Sequence, residues 1–256
     1  MAGPGDNDEN SGADAWFGDR RVAAADKGAL VRGVFDSVAE RYDLMNDLMS
    51  GGVHRLWKAA LLDWLAPRGP LALLDLAGGT GDIALRVIAR APQATVLVAD
   101  VNERMLARGR DRAIDRGAIS GLRYLVCDAQ VLPLAARSFD ACTIAFGLRN
   151  VTDIDKALAE AHRVLKPGGR FLCLEFSRVV VPGLAQLYDA YSFRVLPELG
   201  ARVARDRAAY QYLVESIRRF PPQDELAGRM RAAGFGQVSY RNLSGGIAAI
   251  HSGWRL

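Results

Sequence analysis

Three cysteines and three histidines are all that this chain of 256 residues carries, and their positions exclude as much as their scarcity. Cys127, Cys142 and Cys173 are isolated and flanked by apolar residues. They read as core residues of buried strands in a reducing compartment, not as a disulfide framework. His54, His162 and His251 lie far apart without ligand spacing, so no metal site is expected. No apolar stretch approaches the ~20 residues a membrane span needs. The first twenty residues are polar, acidic and glycine-rich, with no signal-peptide core. The net charge of +4 is only mildly basic. With no basic-aromatic stripe and no internal repeat, nucleic acid is not an expected partner. A cytoplasmic bacterial protein is the expectation.

Hydrophobic residues make up 50% of the chain, enough to fill the core of one α/β domain with additions. Residues 1–15 have little to bury and are expected to form a disordered tail, leaving 16–256 as a single domain. A helical pattern from Asp26 to Leu65, broken at Gly51-Gly52, predicts a helical cover over 26–65. Strands are predicted at 71–76, 94–99, 122–127, 139–146 and 170–176, with helices near 82–91, 103–117 and 153–165. That alternation predicts right-handed crossovers and a Rossmann-like, doubly wound, mostly parallel sheet of seven strands. Residues 183–220, rich in Leu, Tyr, Arg and Ala, predict a helical insertion ending at Pro221-Pro222. A helix over 223–233 stops at Gly234. Strands 235–241 and 246–251, joined through Ser244-Gly245-Gly246, predict a closing antiparallel hairpin.

The most informative stretch is Leu74-Asp-Leu-Ala-Gly-Gly-Thr-Gly-Asp-Ile-Ala84. A buried strand feeds a glycine turn and then a helix opening at Asp82. Gly78, Gly79 and Gly81 remove the side chains that would hold a ligand off the backbone. In an open α/β sheet this turn binds a nucleotide-like ligand. Gly79-x-Gly81-x-x-Ala84 also meets the loose dinucleotide pattern, so a nicotinamide-dependent oxidoreductase is an alternative of another class. The acids weigh against it. Asp82 opens the helix where a diphosphate would gain from a bare N-terminus, whereas a cationic ligand with an amino-acid tail would welcome both Asp75 and Asp82. Asp100 ends the second strand about twenty residues past the turn, the place for a carboxylate on ribose hydroxyls. Asp128 ends the third, within reach of an adenine edge. This set resembles the S-adenosylmethionine (SAM) site of class I methyltransferases.

Two longer stretches narrow the acceptor. The first, Tyr42-Asp-Leu-Met-Asn-Asp-Leu-Met-Ser-Gly-Gly-Val-His-Arg-Leu-Trp57, places Tyr42, Asn46 and Ser50 on one helical face before a glycine break. The second, Arg163-Val-Leu-Lys-Pro-Gly-Gly-Arg-Phe-Leu-Cys-Leu-Glu-Phe-Ser177, ends a helix at a Pro-Gly-Gly turn and puts Glu175 at a strand end. With Phe35-Asp-Ser-Val-Ala-Glu-Arg-Tyr42, Phe146-Gly-Leu-Arg-Asn-Val151 and Gly246-Ile-Ala-Ala-Ile-His-Ser-Gly-Trp254, the chain resembles the ubiquinone/menaquinone biosynthesis C-methyltransferase family over about residues 16–256.

The resemblance implies methylation of a ring carbon on a reduced, polyprenylated quinone precursor, with SAM as the donor. It implies cofactor contacts at Thr80, Asp100 and the Asp128-Ala129 pair. Some relatives carry a serine where this chain has Ala145, so a hydroxyl contact there is lost and only the backbone can line the pocket. Removing or loosening a phenolic proton makes the ring carbon nucleophilic, so the protein must position two partners, exclude water and offer a proton acceptor. By position, Arg149 would stabilise the developing phenolate and Asn150 would orient a ring oxygen; the alternative for Arg149 is a structural pair with a nearby acid. His54, Tyr42 and Asp43 would relay the proton from the helical cover; the alternative for His54 is a packing or capping residue. Leu184, Leu187, Tyr188, Tyr191, Phe193, Val195 and Leu196 would wall a groove for the polyprenyl tail, or else form ordinary helical core. A tail-bearing acceptor implies peripheral contact with the inner face of the cell membrane. Arg104, Arg108, Arg112 and Arg116 share one helix face toward anionic headgroups or simply toward solvent. Also left open are methylation of another small molecule, benzoquinol against naphthoquinol as acceptor, a homo-oligomer, and association with other quinone-biosynthesis enzymes.

Overall fold

A computed structural model describes residues 14–38, 42–118, 120–191 and 207–256, and only the backbone of residues 37, 38, 42–45, 187, 189, 190 and 207. The tail expected over 1–15 lies outside these residues except for its last two, which open a strand. That strand, β1 (Asp14–Phe17), pairs with β2 (Arg20–Ala23) as a short antiparallel ribbon. Three helices follow, α1 (Ala24–Val38), α2 (Tyr42–Ser50) and α3 (His54–Leu65). The central unit then alternates β3 (Ala72–Leu76), α4 (Asp82–Arg90), β4 (Thr95–Asp100), α5 (Glu103–Asp115), β5 (Leu122–Val126), β6 (Phe139–Ala145), α6 (Ile154–Val164) and β7 (Leu165–Phe176). After α7 (Leu184–Ala190) and α8 (Arg207–Arg219) come α9 (Gln223–Ala232), β8 (Gly236–Leu243) and β9 (Ala248–Trp254).

The seven-stranded sheet runs β5-β4-β3-β6-β7-β9-β8. Its first five strands are parallel, and the last two add the antiparallel hairpin. β3 is enclosed on both faces, which is why Leu73-Leu74-Asp75-Leu76 reads as a continuous run without polar alternation. Its side chains still alternate: Leu73 joins Trp57, Leu61, Ile83 and Val87 from α3 and α4, whereas Leu74 and Leu76 join Leu158, Ala161 and Met230 from α6 and α9. The chain winds outward from β3 to β5, then returns to lay β6 on the other side of β3. Strand order therefore reverses between β3 and β6, and a crevice opens at their carboxyl ends.

Three local features differ from the sequence reading. The Pro-Gly-Gly segment does not turn between a helix and a strand: helix α6 stops at Val164, and β7 already runs from Leu165. Gly168 takes φ +78° there and donates to the Arg255 carbonyl at 2.7 Å, so the glycines absorb a bulge within a continuing strand. Cys127 falls just beyond β5, a half-exposed edge strand, and only Cys142 and Cys173 are fully buried. Of the insertion over 183–220, α7 and α8 are helices, and residues 192–206 lie outside the described residues.

The cover is tied to the closing hairpin of the sheet and to the insertion at specific points. Trp57 Nε1 donates to Ser244 Oγ at 2.9 Å and meets Phe176 edge-on. Tyr191 Oη donates to the Leu48 carbonyl at 2.7 Å.

At the switch point Asp75 sits opposite Thr143 and accepts its hydroxyl at 2.8 Å, while Asp75 Oδ2 has no hydrogen-bond partner among the described residues. Burial pushes this carboxyl up to about 7, against the pull of Thr143. An unfolded chain ionises the same group near 4. The folded protein thus keeps a proton that the unfolded chain has lost between about pH 4 and 7, so the contribution to stability is fullest below that window and falls as pH rises through it. The unfolding free energy of Asp75→Asn minus that of the native chain should rise across this window, with a slope of up to about 1.4 kcal/mol per pH unit. Urea titrations at several pH values measure it, and a pH-independent difference would contradict the assignment.

Candidate active site

The turn after β3 is built from left-handed residues: Ala77 (φ +47°), Gly79 (φ +54°) and Gly81 (φ +72°). Gly81 caps α4 and donates to the Gly78 carbonyl at 2.9 Å. Gly78 is required by close approach, since a Cβ there would lie 2.7 Å from Val98 Cγ1 and 2.9 Å from Asp75 Oδ2. Gly79 N–H donates to Asp100 Oδ2 at 2.9 Å, and Asn102 N–H donates to Asp100 Oδ1 at 2.8 Å. These bonds hold the carboxylate at the end of β4, yet burial still raises it to about 6. Asn102 caps α5 through the Met105 N–H and reaches Asp36 of α1 at 2.9 Å. Past β5, the carboxylate of Asp128 accepts from both the backbone and the side chain of Gln130.

A cavity of about 800 Å³ lies over these strand ends, roofed by α1 and walled by α8. It brings together six of the sequence-predicted residues: Gly79, Asp100, Asp128, Ala129, Arg149 and Asn150. Gly78, Thr80, Gly81 and Ala145 stand behind its surface, shaping the loop and the end of β6; Thr80 Oγ1 accepts from Arg112 at 3.3 Å. His54 is not brought to the cavity. It is buried at the start of α3 with Nε2 2.9 Å from Asp47 Oδ1, and burial, reinforced by Lys58, lowers its pKa. The side chains of Tyr42 and Asp43 lie outside the described residues.

The two acids read as greeting a cationic tail face the protein instead. Asp75 belongs to the sheet interior, and Asp82 holds Lys58 Nζ at 2.8 Å and Arg86 Nε at 3.2 Å. Burial alone would raise Asp82, but these two cations bring it down to about 2. A diphosphate would still meet a carboxylate at the helix start.

After β6 the chain makes a single 3-10 turn, Leu148–Asn150. Arg149 Nη1 donates to Glu175 Oε1 at 2.7 Å and to the Phe146 carbonyl at 2.6 Å, with both charged side chains 1% exposed. The guanidinium is thus committed to a carboxylate on β7. Asn150 Oδ1 accepts from Tyr212 Oη of α8 at 3.1 Å, and Tyr212 stacks on Phe17 at 4.4 Å. Burial, only partly offset by Arg149, pushes the Tyr212 hydroxyl up to about 12, so it remains a donor.

Sequence reasoning missed Lys27 and Tyr212, both on the cavity wall. Lys27 carries a readable signal. It precedes Val31 and Phe35 at steps of four, so the helical period sets a lysine on the buried face of α1. Tyr212 carries none, since its place depends on how the insertion folds back.

The cavity fits SAM. Its volume suits a nucleoside with an amino-acid tail, and its floor offers the carboxylates of Asp100 and, one strand farther along, Asp128 as acceptors for hydroxyl and amino donors.

Comparison with known proteins agrees. Residues 22–255 match the model of the ubiE/COQ5 methyltransferase family. The chain is 57% identical to the ubiquinone/menaquinone biosynthesis C-methyltransferase UbiE of Dinoroseobacter shibae, over 97% of this chain and 99% of that one. It is 60% identical to the protein of that name from Paracoccus denitrificans (94% and 96%) and 61% identical to that of Acidiphilium cryptum (94% and 96%). Among solved structures, a possible histamine N-methyltransferase from Thermotoga maritima superposes with a TM-score of 0.60 at 22% identity, covering 88% of this chain and all of that one. A Haemonchus contortus phosphoethanolamine N-methyltransferase 2 does so at 0.64 and 15% identity, covering 88% and 60%. These two likenesses speak to the fold. From the full-length identity and the family match together, the chain belongs to the ubiE/COQ5 methyltransferase family.

Proposed function

We propose that this enzyme transfers the methyl group of SAM to a ring carbon of a reduced, polyprenylated quinone precursor, serving ubiquinone synthesis, menaquinone synthesis or both. The observation that carries the reading is the identity of 57–61% over nearly the whole chain with enzymes named for that step. When bound, SAM supplies an electrophilic methyl group, and the protein's own residues do the rest. The Asp100 carboxylate takes the ribose hydroxyls, Asp128 and Ala129 take the adenine edge, and the Gly79 turn lets the tail lie against backbone. The turn after β6 faces the acceptor. Because the Tyr212 hydroxyl fills Asn150 Oδ1, the Asn150 amide presents its N–H donors to a ring oxygen. Arg149 fixes that turn through Glu175, a positioning role. His54, paired with Asp47, braces the joint between α2 and α3, and Tyr42 and Asp43 stand at the opposite end of α2.

An apolar tail needs an apolar channel, which Leu184, Tyr188 and Tyr191 at the start of the insertion would begin. Leu187, Phe193, Val195 and Leu196 fall outside the described side chains. Such an acceptor brings the enzyme to a membrane surface as a peripheral protein; no helix among the described residues is long and apolar enough to cross one. On α5, Arg104 and Arg108 are exposed, as is Arg116 at its end, and they suit anionic headgroups, whereas Arg112 turns toward Thr80. Self-association or association with neighbouring quinone-pathway enzymes would shorten transfer of a poorly soluble acceptor.

Asp100 must be ionised to accept from both ribose hydroxyls. SAM affinity should therefore climb as pH rises to about 6 and level off above, and Asp100→Asn should weaken it at least ~tenfold, about 1.4 kcal/mol. Calorimetric titration measures both; affinity flat between about pH 5 and 8 would remove Asp100 from the site. For the acceptor, the protein should be incubated with labelled SAM and equal amounts of reduced benzoquinol and naphthoquinol precursors, and the lipid extract resolved by mass. Label in one ring class assigns the pathway, and label in both defines a dual enzyme. Label in neither, from protein that binds SAM, would refute the quinol assignment.

A further inference from the structure

Among the described residues, three lysine or arginine side chains are buried: Lys27, Lys58 and Arg149. Two of them have carboxylates, Asp82 at 2.8 Å for Lys58 and Glu175 at 2.7 Å for Arg149. Lys27 has none. Its Nζ donates to one backbone carbonyl, that of Val151, at 2.9 Å, and it lines the cavity with Asn150 and Tyr212. A buried ammonium without a counter-charge is costly, and such a group in a cleft marks a functional site more often than a structural one. The bond to Val151, the residue after Asn150, sets the nitrogen on the wall where the amide of Asn150 meets Tyr212. Beyond the Val151 carbonyl, the nitrogen has no partner among the described residues.

Among the described residues, the charged groups on the elements packed against α1 are bonded to other residues or exposed; Glu215 of α8 accepts from the Asp19 N–H and from Gln211. Asp14 of β1 faces Arg21 of β2 at 3.9 Å, and Arg219 of α8 bonds Asp19 at 3.0 Å. Asp47 of α2 holds His54 and Arg55, and Glu103 and Arg104 of α5 are exposed. On α1 itself Asp36 accepts from Asn102, and Arg32 is exposed. Beyond Val151, Asp153 faces Lys156 at 3.5 Å. The carboxylates of the floor are also held, Asp100 by backbone N–H groups and Asp128 by Gln130.

We propose that Lys27 is a catalytic residue that takes the proton of the acceptor's ring hydroxyl and gives it back at the end of the reaction. Resting on the quinol reading of this cavity, the step balances as follows. The quinol O–H bond breaks and an N–H bond forms on neutral Lys27, leaving an ammonium against a phenolate whose charge activates the ring carbon. The methyl group the carbon gains would come from bound SAM, whose methyl–sulfur bond breaks to leave a neutral thioether; the carbon's own proton then leaves to solvent as the net proton of the reaction, and the phenolate recovers a proton from Lys27. Burial favours the neutral amine this cycle needs by lowering the lysine's pKa. Arg149 cannot serve, since a guanidinium stays protonated and this one already has its carboxylate.

The test uses the full-length protein with S-adenosylhomocysteine and an alkyl-substituted nitrophenol, whose phenolate absorbs in the visible. Bound to the native chain, the probe should ionise at least one pH unit below its value in free solution. Lys27→Met should abolish that shift, keep SAM affinity within threefold and lower kcat for quinol methylation at least ~100-fold. Lys27→Arg, which keeps a cation near Val151, should retain the probe shift. The proposal falls if the native chain leaves the probe's ionisation unmoved, or if folded Lys27→Met methylates within threefold of the native rate. It also falls if Lys27→Met weakens SAM more than tenfold while sparing the probe shift, which would assign the ammonium to the donor's carboxylate. Should Lys27→Met not fold, the native titration and Lys27→Arg decide. A native protein that binds SAM yet methylates neither quinol would defeat the functional reading, and the probe would still judge Lys27.

Discussion

The active-site wall depends on one buried ion pair, Arg149 with Glu175. The carboxylate sits on β7 one residue past the last rung shared with β6, and the guanidinium lies just beyond the end of β6. Glu175 also accepts from the N–H groups of Phe176 at 2.9 Å and Arg149 at 3.4 Å, while Arg149 binds the carbonyl of Phe146. Phe146 carries φ +59°, a conformation that costs a non-glycine residue on the order of 1 kcal/mol. The pair holds that reversal in place. In net stability such a pair gives little, because desolvation offsets attraction, but losing one partner leaves a bare charge and costs about 3–5 kcal/mol. Its effect is therefore geometric. It stitches the turn to the sheet, and the turn presents Asn150 to the cavity.

Charge is layered around this anchor. Below the glycine turn, Lys58, Asp82 and Arg86 close on one another and clamp the start of α4 to the helical cover. At the cavity floor, Asp100 and Asp128 leave a negative rim suited to hydroxyl and amino donors. On the roof stands one lysine without a counter-ion among the described residues. Charge is thus segregated across the cavity, with carboxylates on its floor and an amine on its roof.

Much of the scaffold was legible because it follows from local rules. The alternation of apolar runs with amphipathic helices placed β3, β4, β5 and β6 within a residue of their bounds and β7 at its end, though that strand starts five residues earlier than predicted, and Gly79 and the acid ending β4 landed on the cavity. The remainder was hidden where distant parts of the chain meet. Asp82 looked available until Lys58, from another helix, was brought against it. A structural pair for Arg149 was one of two readings, but its partner could not be named because Glu175 is neighbour to it only through the β6–β7 register. The Pro-Gly-Gly segment reads as a turn in sequence, but the Arg255 backbone pairs with it and keeps it extended. The ribbon at Asp14–Ala23 was too short to show a period. Lys27 was visible as a misplaced charge on an apolar face, and only the roof position of α1 gives that oddity a meaning.

A double-mutant cycle on the buried pair tests most directly whether Arg149 acts by holding the turn. Unfolding free energies and SAM-saturated methylation rates would be measured for Arg149→Met, Glu175→Leu and the double variant. Each single change should cost about 3–5 kcal/mol and most of the activity, while the double variant, with no stranded charge, should recover most of the stability and part of the rate. An Arg149→Met protein as stable as the native chain yet inactive, with no recovery in the double variant, would show that the guanidinium works on the substrate itself and would contradict this account.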